Sequence, residues 1–296
     1  MHRSLRKESM GYVYILPWVI GFLFFQLYPL GASLFYSFTS YSITNTPTWV
    51  GLQNYSAMFT EDRQFFASLM TTLKYVFMSV PMKIGFALLV AVLLNQKLKA
   101  IHLYRTVFYI PSIFGGSVAV AILWRFLFMD GGLINQVLRA LSIQSVQWLS
   151  SPYIALFTLS LLSVWQFGSS MVLFLAALKQ VPEDLYEAAR IDGAGKLRIF
   201  ARITLPLITP VLFFNLLMQI VNAFQDFTGA FVITNGGPLK STYLFALKLY
   251  DEAFHYYKMG YASALSWVLF ALILLFTMIF FRFSEAATYY EDGGKM

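Results

Sequence analysis

Three residues at helical spacing carry the first chemical signal. Gln219, Asn222 and Asp226 fall at i, i+3 and i+7 in and just past an apolar run, so on a helix they share one face. Gln225 adjoins them, and a second apolar run supplies Trp165, Gln166, Ser169 and Ser170. Aromatic, amide and carboxylate groups together suit a sugar site. The ring stacks on the apolar face of a pyranose while amides bridge neighbouring hydroxyls. The same residues serve equally well as hydrogen bonds between helices in a membrane, and the residues alone leave both readings open. Lys83 lies in the middle of a third apolar run, two residues after Pro81. An ammonium near the bilayer centre costs about 2.5–3.5 kcal/mol, so it must face protein or water. It is then either a pore or substrate contact or a structural pair with a neighbouring helix or partner subunit. Pro81 and Gly85 predict an irregular helix there, which is tolerated only where protein or water covers the freed backbone.

Other chemistries are excluded. There is no Cys, hence no disulfide framework, thiolate metal site or Cys nucleophile. His2, His102 and His255 are scattered, which argues against a His-based metal site. No Gly-x-x-x-x-Gly-Lys-Ser/Thr phosphate loop is present. Gly193-Ala194-Gly195-Lys196 lacks the leading Gly and is followed by Leu197, so the chain is expected to bind no ATP of its own. Without paired carboxylates at depth or a nucleophile beside a base, no enzyme is expected.

The elements that position these residues follow from composition. The 296 residues are 58% hydrophobic and 12% charged, against about 25% charged in a soluble domain. Six runs reach the roughly 20 residues that a span needs: 12–38, 72–94, 106–129, 153–178, 205–224 and 262–281. The expectation is an all-α, polytopic bundle of six transmembrane helices, forming one domain over residues 1–296. The first run follows Arg3, Arg6 and Lys7 and is too long for a signal-peptide core, so it reads as an uncleaved span. The formal charge of +7 fits basic cytoplasmic loops better than nucleic acid. With the N-terminus inside, thirteen Lys and Arg fall in inner segments and five in outer ones, leaving aside Lys74, Lys83 and Arg125. Both termini are therefore expected in the cytosol. The outer segments 39–65 and 226–261 are long and aromatic, and Asn235-Gly236-Gly237-Pro238 signals a turn.

One inner loop, 181–206, reads VPEDLYEAARIDGAGKLRIFARITLP. Pro182 suits a first helical turn, Glu183 and Asp184 complement the positive helix end, and Gly193 suits a C-terminal left-handed position. A second short helix over 196–203 is expected before Leu205-Pro206 opens the next span. Ala188 and Ala189 allow close approach of another surface, and Glu187, Arg190 and Asp192 offer charges to orient it. The plainer alternative is an amphipathic loop resting on headgroups.

Glu187-Ala188-Ala189, Gly193, Ile203 and Leu205-Pro206 resemble, with every spacing kept, the EAA motif of permease subunits of binding-protein-dependent ABC importers. The rest of the chain resembles the maltose and glycerol-phosphate branch of that family. The similarity includes Pro17, Tyr28-Pro29, Val50-Gly51-Leu52, Asn54-Tyr55, Arg105, Pro111, Trp124, Gly131, Asn135, Ser241-Thr242 and Gly260-Tyr261-Ala262. It implies the type I importer fold in a bacterial cytoplasmic membrane. It implies a non-catalytic subunit with a saccharide substrate, an oligosaccharide by family frequency. The implied partners are a second homologous permease, two ATPase subunits that bind ATP and Mg, and an extracellular or periplasmic solute-binding protein. The resemblance makes 181–206 the coupling loop, and turns Trp165, Gln166, Ser169, Gln219, Asn222 and Asp226 into cavity candidates, beside Lys83, whose candidacy rests on its mid-span position alone. An ion-gradient-driven secondary transporter is the rival, but the spans lack the central carboxylates that it would need.

Overall fold

The computed structural model describes residues 14–96 and 99–287, so Arg3, Arg6, Lys7, Lys97 and Lys295 of the charge count lie outside the described residues. Along the chain, α1 (Tyr14–Ser37) leads to a two-stranded antiparallel hairpin, β1 (Thr39–Ser42) and β2 (Asn45–Trp49). Then come α2 (Gln53–Thr60), α3 (Arg63–Leu94), α4 (Ile101–Ile113), α5 (Val118–Phe128) and α6 (Leu133–Ala140). After these follow α7 (Ala155–Trp165), α8 (Gly168–Gln180), α9 (Glu183–Ile191), α10 (Lys196–Phe224) and a π turn at Ala230–Thr234. The chain closes with α11 (Phe245–Tyr250), a π turn at Asp251–His255, and α12 (Met259–Ala287).

Five helical runs among the described residues are long and apolar enough to cross a membrane, and α7 with α8, bent by 48°, makes up to six. The chain is therefore an all-α, polytopic membrane protein, with the short β1–β2 hairpin as its strand content among those residues. Four expectations need correction. The run 106–129 is not one helix: α4 ends two residues after Pro111, residues 114–117 are irregular, and α5 starts anew. The apolar run that qualifies there is Val118–Ala140. The run 153–178 is broken between Trp165 and Gly168. No separate helix stands at 196–203, because Lys196 begins a helical run that continues to Phe224. Finally, α3 stays α-helical across Pro81, where irregularity was predicted, and it starts at Arg63, well before residue 72.

Two π turns have a common cause. One, Leu23–Leu27, lies in α1 and ends two residues before Pro29. The other, Phe200–Thr204, lies in α10 and ends two residues before Pro206. A proline ring collides with the carbonyl four residues earlier. Those carbonyls belong to Phe25 and Arg202, inside the widened turns.

The chain divides into two compact units: residues up to Phe65 with Leu249–Ala271, and Phe66–Lys248 with the residues from Leu272 on. In the first, Asn54 Nδ2 donates to the carbonyls of Ser37 and Thr39, both at 2.9 Å, and Tyr55 Oη donates to Ser37 Oγ at 2.8 Å. These bonds hold the exit of α1. Asp62 caps α3 by accepting the N–H of Gln64 at 2.8 Å, and accepts Tyr261 Oη at 2.5 Å. Gly260 passes so close to β1 that a Cβ there would collide with the Thr39 carbonyl oxygen. In the second unit, buried Asn135 bonds the Asp130 and Val146 backbones and accepts Trp148 Nε1. Arg105 donates to the last carbonyl of α3, Leu94, at 2.9 Å, and Trp124 Nε1 donates to the Thr158 carbonyl at 3.1 Å. Buried Asn215 accepts Ser170 Oγ at 2.9 Å, pinning α8 to α10.

Candidate functional site

The breaks in the second unit converge. The irregular residues between α4 and α5, the bend between α7 and α8, and the end of α10 all open on one cavity of about 420 Å³. That falls within the roughly 300–1,000 Å³ typical of small-molecule sites. In lipid, non-helical backbone is tolerated only where protein covers it or where it lines a water-filled space. Three interruptions meeting at one polar cavity fit that condition.

Five of the seven cavity candidates line it: Lys83 from α3, Gln166 from the bend, Gln219 and Asn222 from α10, and Asp226 just beyond. Trp165 and Ser169 do not. The Trp165 ring packs against Trp124, with centroids 6.0 Å apart, and Ser169 is exposed, its backbone N–H donating to Ser112 Oγ at 3.1 Å.

Asp226 is the most engaged member. It accepts a hydrogen bond from Tyr75 Oη and another from the Gly229 N–H. The second bond ties the carboxylate to the start of the helical segment that follows α10. Lys83 and Asp226 feel each other's charge but are not in ion-pair contact. The side chains of Gln219 and Asn215 lie at a long 3.5 Å, continuing the Ser170–Asn215 link toward the cavity.

Sequence reasoning missed Tyr75 and Asn215. Asn215 stands one turn before Gln219 and extends the 219, 222, 226 stripe inward. Tyr75 lies eight residues before Lys83, about two turns up the same helix, so both were reachable by extending the helical spacing.

The loop at 181–206 is built as its residues require. Glu183 and Asp184 occupy the first turn of α9 and Arg190 the last. Gly193, at φ +76°, ends the helix: its N–H donates to the Arg190 carbonyl at 3.0 Å, and the Ala194 N–H to the Ala189 carbonyl at 2.9 Å. This is the paired closure of a Schellman motif, whose left-handed residue favours glycine. Tyr186 Oη and Thr204 Oγ1, 3.1 Å apart, tie α9 to the π turn of α10. Glu187, Ala188, Arg190, Asp192 and Gly193 are exposed and Ala189 is half-buried. Beside them stand two bare apolar side chains, Ile191 at 87% and Leu197 at 86% exposure.

Residues 54–288 match the family described as binding-protein-dependent transport system inner membrane component. A probable ABC transporter permease protein of Bacillus subtilis (strain 168), YesP, is 50% identical over 294 residues, covering 98% of this chain and 95% of that one. The arabinooligosaccharides transport system permease protein AraP of the same organism is 33% identical over 283 residues, 94% of this chain and 89% of its own. In structure, the chain resembles one from a bacterial ABC transporter involved in import of the acidic polysaccharide alginate. The TM-score is 0.84 at 20% identity, covering 97% of this chain and 99% of that one, a likeness of fold.

Proposed function

The chain belongs to the binding-protein-dependent transport system inner membrane components, and on that premise we propose that it forms one half of the path of an ATP-driven saccharide importer. It is a non-catalytic permease subunit. The observation that carries the reading is the convergence of three helix breaks on an amide-rich cavity, in a chain that also presents an exposed, self-capped helix at 181–206. The cavity receives a saccharide, an oligosaccharide in our reading, handed over by an extracellular or periplasmic binding protein. Lys83, Gln166, Gln219, Asn222 and Asp226 are its contacts, while Trp165 and Ser169 drop out of the set.

The loop docks on a separate ATPase subunit, with Glu187, Arg190 and Asp192 setting orientation, Ala188 and Ala189 allowing close approach, and Gly193 fixing the elbow. Ile191 and Leu197 supply the apolar area that a docking surface needs. Two ATPase copies, holding ATP and Mg, work with a second, homologous permease in the bacterial cytoplasmic membrane, and both termini of this chain lie in the cytosol. ATP shifts the inward- and outward-open states because it binds one better, and the loop passes that difference to α10.

Reconstitution of the chain with its ATPase, second permease and binding protein tests this. Saccharide should enter vesicles only with ATP, and ATP hydrolysis should rise with loaded binding protein. Saccharide transport by the isolated chain on a proton gradient would overturn the reading.

A further inference from the structure

We propose, resting on the cavity reading above, that the transported saccharide carries a carboxylate and that Lys83 is the residue that recognises it. Lys83 stands near the middle of α3 and lines the cavity. Its ammonium has no hydrogen bond or ion pair among the described residues, and Asp226 is the charged group that it feels. That carboxylate is already committed: Tyr75 Oη and the Gly229 N–H occupy it, and it holds the chain turn after α10. The remaining polar lining includes Ser163, Gln166, Gln219, Asn222 and Gln225, all neutral. The cavity therefore offers hydroxyl-binding amides around an ammonium that no carboxylate contacts.

A neutral saccharide filling that space would strip water from the ammonium and return hydroxyl acceptors but no countercharge. A saccharide with a uronate group supplies the missing countercharge. A phosphate ester fits less well, because a dianion calls for several cationic or bidentate donors. Lys83 is alone here, and the fixed negative charge of Asp226 adds repulsion.

The test uses the complete reconstituted importer and two disaccharides of the same linkage, one ending in a hexuronate and one in the corresponding neutral hexose. The wild type should import the uronate with the lower KM. Lys83→Met should raise that KM about 10- to 100-fold, the loss of one charge-assisted contact, and Lys83→Arg should restore most of it. Lys74→Met, on an exposed face of the same helix, should change neither substrate. Preference of the wild type for the neutral sugar, or equal losses on both sugars in Lys83→Met, would overturn the inference and leave the saccharide reading standing. Import of neither sugar would instead sink the saccharide reading itself.

Discussion

The loop at 181–206 and the cavity around Lys83 and Asp226 are finished in opposite ways. In the loop the backbone is complete and the side chains are open. Gly193 and Ala194 close the last turn of α9, while Glu187, Arg190, Ile191 and Leu197 stand exposed. In the cavity the backbone is interrupted three times, while its central carboxylate is held by Tyr75 and Gly229. In the function proposed here the first pattern serves a protein surface, since a large partner can cover a whole helix face. The second calls for a small polar ligand, because only Lys83 and a few amides are left to satisfy.

The contrast can be broken most severely at the loop. Gly193→Asp places a β-carbon in a left-handed conformation that costs an L-residue roughly 1–2 kcal/mol and disturbs the elbow. ATP-driven uptake should fall to background while the protein remains in the membrane, as read by transport and by copurification of the ATPase. Glu187→Lys should uncouple similarly. Full uptake in either variant would remove the docking assignment.

At the cavity, Asp226→Ala strands the Tyr75 hydroxyl and the Gly229 N–H. Each lost acceptor costs about 1–3 kcal/mol, so thermal stability and uptake should fall together. Asp226→Asn, which keeps an acceptor, should retain most of the stability. Asn215→Leu should lower the melting temperature through the lost Ser170 bond, with a smaller loss of uptake. Asn222→Ala should raise the apparent KM several-fold, the scale of one neutral hydrogen bond, with assembly intact. Smallest of all, Ser169→Ala should leave KM unchanged, and a shift there as large as for Asn222 would put the cavity boundary in the wrong place.

These regions also differ in how plainly the sequence states them. The loop is local: Glu183 and Gly193 each act within a few residues, so spacing was enough to read its first helix, though not the run that continues from Lys196 into α10. The cavity is assembled from residues more than 150 positions apart. Spacing along α10 reached Gln219, Asn222 and Asp226, but nothing local announces that Tyr75 meets Asp226. The breaks were the hardest part. The runs 106–129 and 153–178 are apolar on average despite Arg125 and Gln166, and an averaged hydropathy does not register where the helix is interrupted. Trp165 was misplaced for a related reason. It was grouped with Gln166 by its place in one run, whereas the chain bends just after it. Pro81 misled in the other direction, because a proline within a long, well-packed helix need not break it.

The π turn at Phe200–Thr204 bears on how α10 can move. It holds one residue more than an α turn, and each residue of an α-helix corresponds to about 100° around the axis. A change of register there would rotate everything beyond it, including Gln219 and Asn222, without lengthening the helix by more than one residue. Spin labels at Leu185 and Met218 would register such a rotation as a change of separation between nucleotide states, and a constant separation would exclude it. Pro206 thus leaves a widened turn at the root of α10, between the loop at 181–206 and the end of the helix that lines the cavity.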